Sequence, residues 1–268
     1  MQANRLSGAR GWAWLREGLQ LWLRNPALLT FTTFGYLLAL LIVSLVPILG
    51  QLAASLIMPA LSVSVLNACR AVDTGKKIGP EVLLSGFRGN LPALISIGGL
   101  YLIGTVIVLL LVSVVDDGTL MQMMRGEGVT EEAVAQSNLS TALLVGTALS
   151  TPVMMAYWFA PMLAAWWKVP AVKAMFFSFH ACLRNWRAFL AYALALLLFG
   201  AVLPGIVIGA IGLVSPMAAT LASVPLPVVV VPVVFASFYI NARDVFGLPD
   251  DSRPAALRPP ADSADDAG

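Results

Sequence analysis

The side chains that could do chemistry in this chain are few and far apart in the sequence. His180 is the only histidine, and the two cysteines, Cys69 and Cys182, have no CxxC spacing. Two cysteines and one histidine are too few ligands for a usual structural zinc site. Acid–base and nucleophilic catalysis need titratable groups within reach of one another, and no HExxH, GxSxG or P-loop pattern occurs. We therefore expect no enzyme, no metal site and no cofactor.

The composition explains why reactive groups are so rare. Of the 268 residues, 59% are hydrophobic and only 11% are charged, whereas soluble domains carry about 25% charged residues. A water-soluble fold of this size could not bury so much apolar surface, but a bilayer is itself apolar. The net charge of +2 is too small to indicate a nucleic-acid binder. The composition therefore predicts an integral membrane protein that binds no nucleic acid.

Six segments lack charge over a length that can cross a hydrocarbon core of about 30 Å. We place these spans near residues 27–46, 50–68, 93–115, 140–165, 188–207 and 217–240. These spans contain no Asp, Glu, Lys, Arg or His. The last two are separated only by a Gly/Pro-rich stretch at 204–216. We expect an all-α membrane fold of six transmembrane helices, arranged as three helical hairpins, each preceded by an amphipathic helix at the membrane surface.

The Lys and Arg residues predict the orientation of these spans. Four lie in the first 26 residues, four in the 70–92 connection, four in the 166–187 connection and three from Arg243 onward. The other connections hold only Arg125. Because positive charge is enriched in cytoplasmic loops, we expect both ends of the chain in the cytoplasm. Cys69 and Cys182 then fall at cytoplasmic ends of spans, where thiols stay reduced.

One unit appears three times along the chain, at about 10–70, 80–168 and 171–243. Each unit begins with an amphipathic segment that leads into a span, and Arg-Asn recurs at this join at 24–25 and 184–185. The alternative is that any hairpin of spans shows a basic end and a proline. Residues 1–247 then form one membrane domain. The tail, 248–268, is rich in Pro, Ala and Asp and predicts disorder on the cytoplasmic side.

The amphipathic segments supply the candidate contacts with lipid. In the first, Trp12, Leu15, Leu19, Trp22 and Leu23 share one face, and Arg16, Glu17, Gln20 and Arg24 share the other. In the third, His180 belongs to a stripe with Lys173, Arg184 and Arg187. Aromatic rings at headgroup level and cations facing anionic lipid are typical of surface helices. The residues that we expect to contact lipid headgroups are Arg24, Arg88, Arg184, Arg187, Trp12 and Trp186. Alternatively, the segments pack under the bundle as elbow helices.

These motifs resemble a family of bacterial multi-pass inner-membrane proteins of unknown function. The matching stretches are "GWAWLREGLQLWLRNP" (11–26), "PILG" (47–50), "FAPMLAAWWKVPAVKAMFFSFHACLRN" (159–185) and "YINARDVFG" (239–247). The resemblance covers about residues 10–247 and implies location in the bacterial inner membrane. The unit pattern is also distantly similar to the membrane domain attached to some glycerophosphodiester phosphodiesterases. That likeness implies no hydrolase, because it concerns the membrane domain alone.

The sixth predicted span is the most irregular. Pro225, Pro227 and Pro232 fall within "SVPLPVVVVP" (223–232) and must kink or break a helix there, so they are candidate hinge residues. "GIVIG" (205–209) allows close helix contact, within the chain or between copies. Ion-coupled transport usually requires ionisable residues inside spans, which the predicted spans lack.

Our first hypothesis is thus a non-enzymatic protein that acts through membrane lipids, anionic ones among them, or through a protein partner. The partner is a second copy or another membrane protein. The alternative is a transporter or channel for a neutral or amphiphilic small solute.

Overall fold

The computed structural model describes residues 3–116, 118–126 and 138–249. All regular secondary structure in these ranges is helical, and no strand occurs there. Six helices in the described part of the chain are long and apolar enough to cross a membrane, which confirms the predicted fold class. The first to sixth spans are Pro26–Ser44, Leu49–Asp73, Leu91–Val115, Leu139–Trp166, Trp186–Val214 and Pro216–Phe246. The predicted disordered tail lies outside the described residues from 250 onward.

The segments that precede the first, third and fifth spans are also helical. These are the N-terminal helix Arg10–Arg24, a 3₁₀ helix Pro80–Arg88 and the connecting helix Ala171–Arg184. A short helix, Thr119–Met124, follows the third span. The location of the three preceding helices at the membrane surface and the threefold repeat stay predictions.

An asparagine stands at each of the three joins between these segments and the spans. Asn25, Asn90 and Asn185 occupy the position immediately before a span begins. At the first join the Leu28 N–H donates to Asn25 Oδ1 over 3.2 Å, and Pro26 occupies the first helical position, where no intrahelical N–H bond is needed. Local capping chemistry therefore sets where the first span begins.

The fifth and sixth spans are longer than predicted, at 29 and 31 residues. At 1.5 Å per residue they measure about 44–46 Å, against a hydrocarbon core of about 30 Å. The helices therefore take in charged residues that the sequence analysis placed in connections: Arg187 near the start of the fifth span, and Arg243 and Asp244 near the end of the sixth. The second span likewise ends with Arg70 and Asp73 inside the helix. The predicted spans therefore contain no charged residue, whereas the longer helices do.

Prolines interrupt the hydrogen bonding of both long spans. In the fifth span, Pro204 lacks the N–H that would bond to the carbonyl four residues earlier, and Leu198–Val202 form a π-helical turn. In the sixth span, one helix ends at Ser223 and the next begins at Pro225. Val224 keeps helical backbone angles, so the break lies in the hydrogen bonds. Pro227 lies in the first turn after the break, Pro232 lies inside the helix, and movement at these prolines stays a prediction.

Contacts divide the chain into two compact units, the central unit Asn25–Leu183 and the terminal unit formed by the residues up to Arg24 and from Arg184 onward. In the central unit the second span is the most buried and packs against the first span, the third span and the 3₁₀ helix. The 3₁₀ helix approaches closely because Gly86 has no side chain: a Cβ there would lie 1.9 Å from the Ala60 carbonyl oxygen.

In the terminal unit the N-terminal helix packs against the fifth and sixth spans. Its buried face is Gly11, Trp14, Gly18 and Leu21. A Cβ on Gly18 would lie 2.6 Å from Ser237, so only glycine allows this approach. Trp14 is fully buried, and its ring centroid lies 5.7 Å from that of Tyr192. Small residues and one tryptophan therefore make this contact.

The face that hydropathy identified as apolar lies elsewhere on the same helix. Trp12, Leu19 and Leu23 are 42%, 40% and 59% exposed, as a surface turned toward lipid would be. The "GIVIG" stretch is likewise outward: a Cβ on Gly205 or Gly209 would meet nothing within 4 Å among the described residues. The structure therefore does not pack these two glycines against another helix of the described chain.

Candidate lipid-contact site

The start of the fifth span carries the clearest pairing of cation and aromatic ring. Trp186 is 55% exposed, and the Arg187 guanidinium carbon lies 5.4 Å from the centroid of its ring. Arg184, the last residue of the connecting helix, is exposed and makes no hydrogen bond or ion pair within residues 3–116, 118–126 and 138–249. Within four residues, the chain thus presents two exposed guanidinium groups and the exposed ring of Trp186.

The N-terminal helix carries two further predicted contact residues. Trp12 lies near its beginning, and its ring meets Phe199 of the fifth span edge-on, with centroids 6.1 Å apart. Arg24 is the last residue of the helix and is exposed. A cation at a helix C-terminus is favoured by the helix dipole, which accounts for the position of Arg24 without any ligand.

The remaining predicted residue, Arg88, belongs to the central unit. It ends the 3₁₀ helix and is exposed. The pKa of Glu81, at the other end of the same helix, is lowered chiefly by backbone hydrogen bonds, one of them from the Gly79 N–H at 3.0 Å, and to a smaller degree by the charge of Arg88. The predicted contact residues are therefore divided between the two units, and five of the six lie in the terminal unit.

A cluster of charged side chains that the sequence analysis missed holds the N-terminal helix in place. Arg10 donates from Nε to Asp244 Oδ2 at 2.9 Å and from Nη2 to the same oxygen, while Nη1 donates to Glu17 at 2.9 Å. Trp14 Nε1 donates to Asp244 Oδ2 at 2.9 Å, and Arg243 donates to Glu17 at 3.3 Å. Partial burial lowers the pKa of Arg10, but the hydrogen bonds from its two acidic partners outweigh this and raise it above the ordinary value.

The segment before this helix is tied to the same part of the terminal unit. Asn185 Oδ1 accepts from the Leu6 N–H at 2.8 Å, and Asn185 Nδ2 donates to the Asn4 carbonyl at 2.9 Å. The Asn4 N–H donates to the Val245 carbonyl at 2.9 Å. Both ends of the described chain are therefore joined near the start of the fifth span and the end of the sixth.

The side chains with reactive chemistry are engaged or buried. Cys69 and Cys182 are both free and buried, and burial raises the pKa of the Cys182 thiol to about 12. His180 is exposed, with Nδ1 3.0 Å from the Phe176 carbonyl oxygen and its ring beside the Phe176 ring. In the part of the chain that the structure describes, no group of three or more His, Cys, Asp or Glu could hold a metal ion.

A second set of polar groups lies within the spans of the central unit. Thr33 Oγ1 is buried and has no hydrogen-bond partner among the described residues. The Tyr157 hydroxyl is also buried, and it lies beside the Ser62 hydroxyl. The rings of Tyr101 and Tyr157 lie with centroids 4.5 Å apart, and Tyr36 lies close enough to the Tyr157 hydroxyl to interact with it electrostatically. Hydroxyl groups from the first, third and fourth spans therefore collect in one apolar bundle.

Six apolar helices of spanning length within the described residues define a multi-pass helical membrane protein. The chain is 36% identical over 265 residues to a probable inner membrane protein of Burkholderia thailandensis, covering 95% of this chain and 97% of that protein. The chain therefore belongs to the same family as that inner membrane protein, and no activity comes with this membership.

The match confirms the predicted resemblance to bacterial inner-membrane proteins at this level. No family profile matches the chain, and no solved structure matches it. The more distant resemblance to the membrane domain of glycerophosphodiester phosphodiesterases stays a prediction.

Proposed function

We propose that this is a non-enzymatic inner-membrane protein that acts through contacts between its surface helices and membrane lipids, anionic lipids among them. The observation that carries the proposal is the group Arg184, Trp186 and Arg187 at the start of the fifth span. Arg184 has open donors and Arg187 lies against an exposed indole. A guanidinium can bind a phosphate through two parallel hydrogen bonds, and an exposed tryptophan beside it suits the interfacial region.

A contact role is also supported by the state of the acidic side chains. Glu17 and Asp244 are each bound by guanidinium groups, so neither is available as a general base without breaking the N-terminal helix from the sixth span. Protein contacts through the same surface, with a second copy or another membrane protein, are the alternative within this proposal.

The test compares two double variants with the same change in charge. Arg184→Glu/Arg187→Glu removes the proposed headgroup contacts, while Lys76→Glu/Lys77→Glu changes two exposed lysines in the connection after the second span. Each protein is purified from bilayers of equal parts phosphatidylglycerol and phosphatidylcholine, and bound lipids are counted by native mass spectrometry. We expect the arginine variant to retain less phosphatidylglycerol than the wild type, and the lysine variant to retain as much.

Equal retention of phosphatidylglycerol by all three proteins would contradict the proposal. A spectrum in which the arginine variant instead loses a bound protein chain would favour the protein-contact alternative. Circular dichroism of each variant checks that the helices remain folded.

We also propose that both chain ends lie in the cytoplasm. The support is the distribution of Lys and Arg, since fifteen lie in predicted cytoplasmic segments and only Arg125 in an external one. A reporter that is active only outside the cytoplasm should be active when fused after Arg125 and inactive when fused after Lys77. The reverse pattern would invert the topology.

A second candidate function, passage of a neutral or amphiphilic solute, has one observation in its favour. A buried polar group without a partner is costly in hydrocarbon, so the Thr33 hydroxyl, which has none among the described residues, would be satisfied by a polar solute between the spans. This hydroxyl lies in the central unit, whereas the candidate hinge residues Pro225, Pro227 and Pro232 lie in the terminal unit.

Glycerol is a suitable neutral probe for this candidate. Proteoliposomes of the wild type should admit glycerol faster than protein-free liposomes in a stopped-flow shrinkage assay, and Thr33→Val should reduce the difference. Glycerol permeability equal to that of protein-free liposomes would refute this candidate for glycerol-sized solutes.

A further inference from the structure

An apolar groove of about 480 Å³ opens in the terminal unit between the N-terminal helix and the fifth and sixth spans. Trp12 and Arg16 contribute from the N-terminal helix, Phe199 and Gly200 from the fifth span, and Val230 and Val233 from the sixth. The volume lies within the range of roughly 300–1,000 Å³ that is usual for ligand sites. Among the described residues, Arg16 is the only charged one that lines the groove.

The backbone of the fifth span creates the space for this groove. Because Pro204 cannot donate to the Gly200 carbonyl, the chain widens, and the Leu203 N–H bonds to the Leu198 carbonyl five residues earlier. Phe199 and Gly200 lie in this π-helical turn. An added Cβ on Gly200 would meet only Val230 Cγ1 at 3.9 Å, so the absence of a side chain leaves open volume between the two spans.

Arg16 gives the groove a polar end. The residue is exposed and makes no hydrogen bond or ion pair within the described part of the chain. The other two basic residues of this helix differ, because Arg10 is held by Glu17 and Asp244 and Arg24 has an interaction of its own. A guanidinium beside an apolar groove is therefore available to an outside anion.

The groove also has a depth that fits a lipid. Arg187 stands near the beginning of the fifth span and Gly200 stands thirteen residues later, a distance of about 20 Å at 1.5 Å per residue. Gly200 therefore lies well inside a hydrocarbon core of about 30 Å, whereas Arg16 belongs to a helix predicted at its surface. The groove thus extends from the lipid headgroup region, where Arg16 is expected, into the hydrocarbon core, where Gly200 is expected.

We propose that this groove is a binding site for one anionic phospholipid, with an acyl chain between Trp12, Phe199 and Val230 and the phosphate on Arg16. The proposal rests on the proposed lipid-contact function and adds to it a single defined site. Empty volume in hydrocarbon forfeits dispersion contacts with its lining atoms, so a flexible chain from the bilayer is the natural occupant. Selectivity among lipids then comes from Arg16, since hydrocarbon itself has no preference for a headgroup.

Charge complementarity favours this occupant over a second copy of the protein. The lining offers one cation and otherwise only apolar side chains, which matches a molecule with one anionic group and a hydrocarbon tail. In a bilayer apolar surfaces gain nothing from leaving lipid for one another, so a protein partner would need a close steric fit.

Two variants, each with a control, test separately the part of the groove that would hold the acyl chain and the cation that would bind the phosphate. Gly200→Leu fills the groove, and Gly209→Leu is its control in the same span, where an added Cβ meets nothing within 4 Å of the described residues. Arg16→Gln removes the cation, and Lys76→Gln is a control in an exposed connection. Each purified protein is returned to bilayers of equal parts phosphatidylglycerol and phosphatidylcholine and examined by native mass spectrometry.

We expect Gly200→Leu to retain one lipid fewer than wild type whatever the headgroup, and Gly209→Leu to retain the wild-type number. Arg16→Gln should keep that lipid but lose its preference for phosphatidylglycerol by about tenfold, because a hydrogen bond to a charged group supports a factor of that order. Lys76→Gln should keep the preference.

Three results would overturn the proposal: unchanged lipid number in Gly200→Leu, unchanged preference in Arg16→Gln, or a wild-type dimer that Gly200→Leu converts to monomer without loss of lipid. The arginine pair Arg184 and Arg187 is intact in all these variants. A failure here therefore leaves the lipid-contact proposal standing, and a failure of that proposal leaves the effect of Arg16→Gln measurable.

Discussion

The attachment of the N-terminal helix to the sixth span depends on Asp244, and the substitution Asp244→Asn tests this. One oxygen, Oδ2, accepts from Arg10 Nε, Arg10 Nη2 and Trp14 Nε1. The substitution removes the charge and keeps the shape, so it removes the ion pair while leaving an amide oxygen for one neutral hydrogen bond. The packing of Gly11 and Gly18 remains.

The magnitude follows from the exposure of the partners. Hydrogen bonds to charged groups contribute about 1.5–3 kcal/mol each, but the Arg10 and Asp244 side chains are 34% and 14% exposed, so solvent screening reduces the sum. We expect the free energy that holds the helix down to fall by about 2 kcal/mol, which corresponds to roughly a 30-fold change in the open population.

Amide hydrogen exchange of residues 10–24 in bilayer nanodiscs measures this opening directly. Asp244→Asn should raise the amide exchange rate in this segment roughly 30-fold, as a loss of about 2 kcal/mol requires. The exchange rate in the second span should not change. Lys77→Gln is the control, because it removes a charge from an exposed connection of the central unit, away from this helix. In a double-mutant cycle, Arg10→Gln should have little further effect once Asp244→Asn is present.

An unchanged exchange rate in Asp244→Asn would contradict the role of Asp244, because it would mean that glycine packing alone holds the helix. Additive effects of Arg10→Gln and Asp244→Asn would refute the direct pairing of these two side chains.

Three further outcomes follow from the packing. Gly18→Leu should release the N-terminal helix, since even a Cβ would lie 2.6 Å from Ser237 and overpacking costs about 1–3 kcal/mol; the same exchange measurement reports it. The fourth span consists of two helices, of which the first ends at Trp158 and the second begins at Ala160, and between them the Phe159 N–H donates to the Ser178 hydroxyl at 2.8 Å. Ser178→Ala should therefore destabilise the protein by about 1–3 kcal/mol and lower the midpoint of unfolding in SDS, with Ser178→Thr as the control. Burial raises the pKa of the Cys182 thiol to about 12, so the thiol stays protonated below that pH. Maleimide labelling of Cys182 at pH 7 should therefore be slow in the folded protein and fast in SDS. Rapid labelling of the folded protein would contradict the burial of Cys182.

The spans were the most predictable part of the fold. The third, predicted at 93–115, is the helix Leu91–Val115, because the absence of charge over a membrane's thickness is a local property of sequence. The sixth was predicted to end at residue 240 but continues to Phe246. Its last turn carries Arg243 and Asp244, which resemble a loop until their partners Arg10 and Glu17 are known. These partners are distant in sequence, and no periodicity within the span points to them.

The face of the N-terminal helix shows a second limit of sequence interpretation. Hydropathy groups Trp12, Leu15 and Leu19, yet Gly11 and Gly18 make the protein contact. In water the apolar face of a helix packs inward, but in lipid it can face the solvent, and small residues allow helices to approach. The spacing of Gly11, Trp14 and Gly18 was visible in the sequence. Its meaning depended on knowing that the fifth and sixth spans are the neighbours.

The pairing of Arg10 with Asp244 has a consequence for biogenesis, because the two residues are separated by 234 positions. A ribosome adding 5–20 residues per second needs about 10–50 s to travel from one to the other. For most of that interval the N-terminal helix has none of its final neighbours, since the fifth span begins only at Trp186. The fastening of this helix is thus a late step of assembly, and a chain cut short before Asp244 would lack the charged contact that holds the helix to the sixth span.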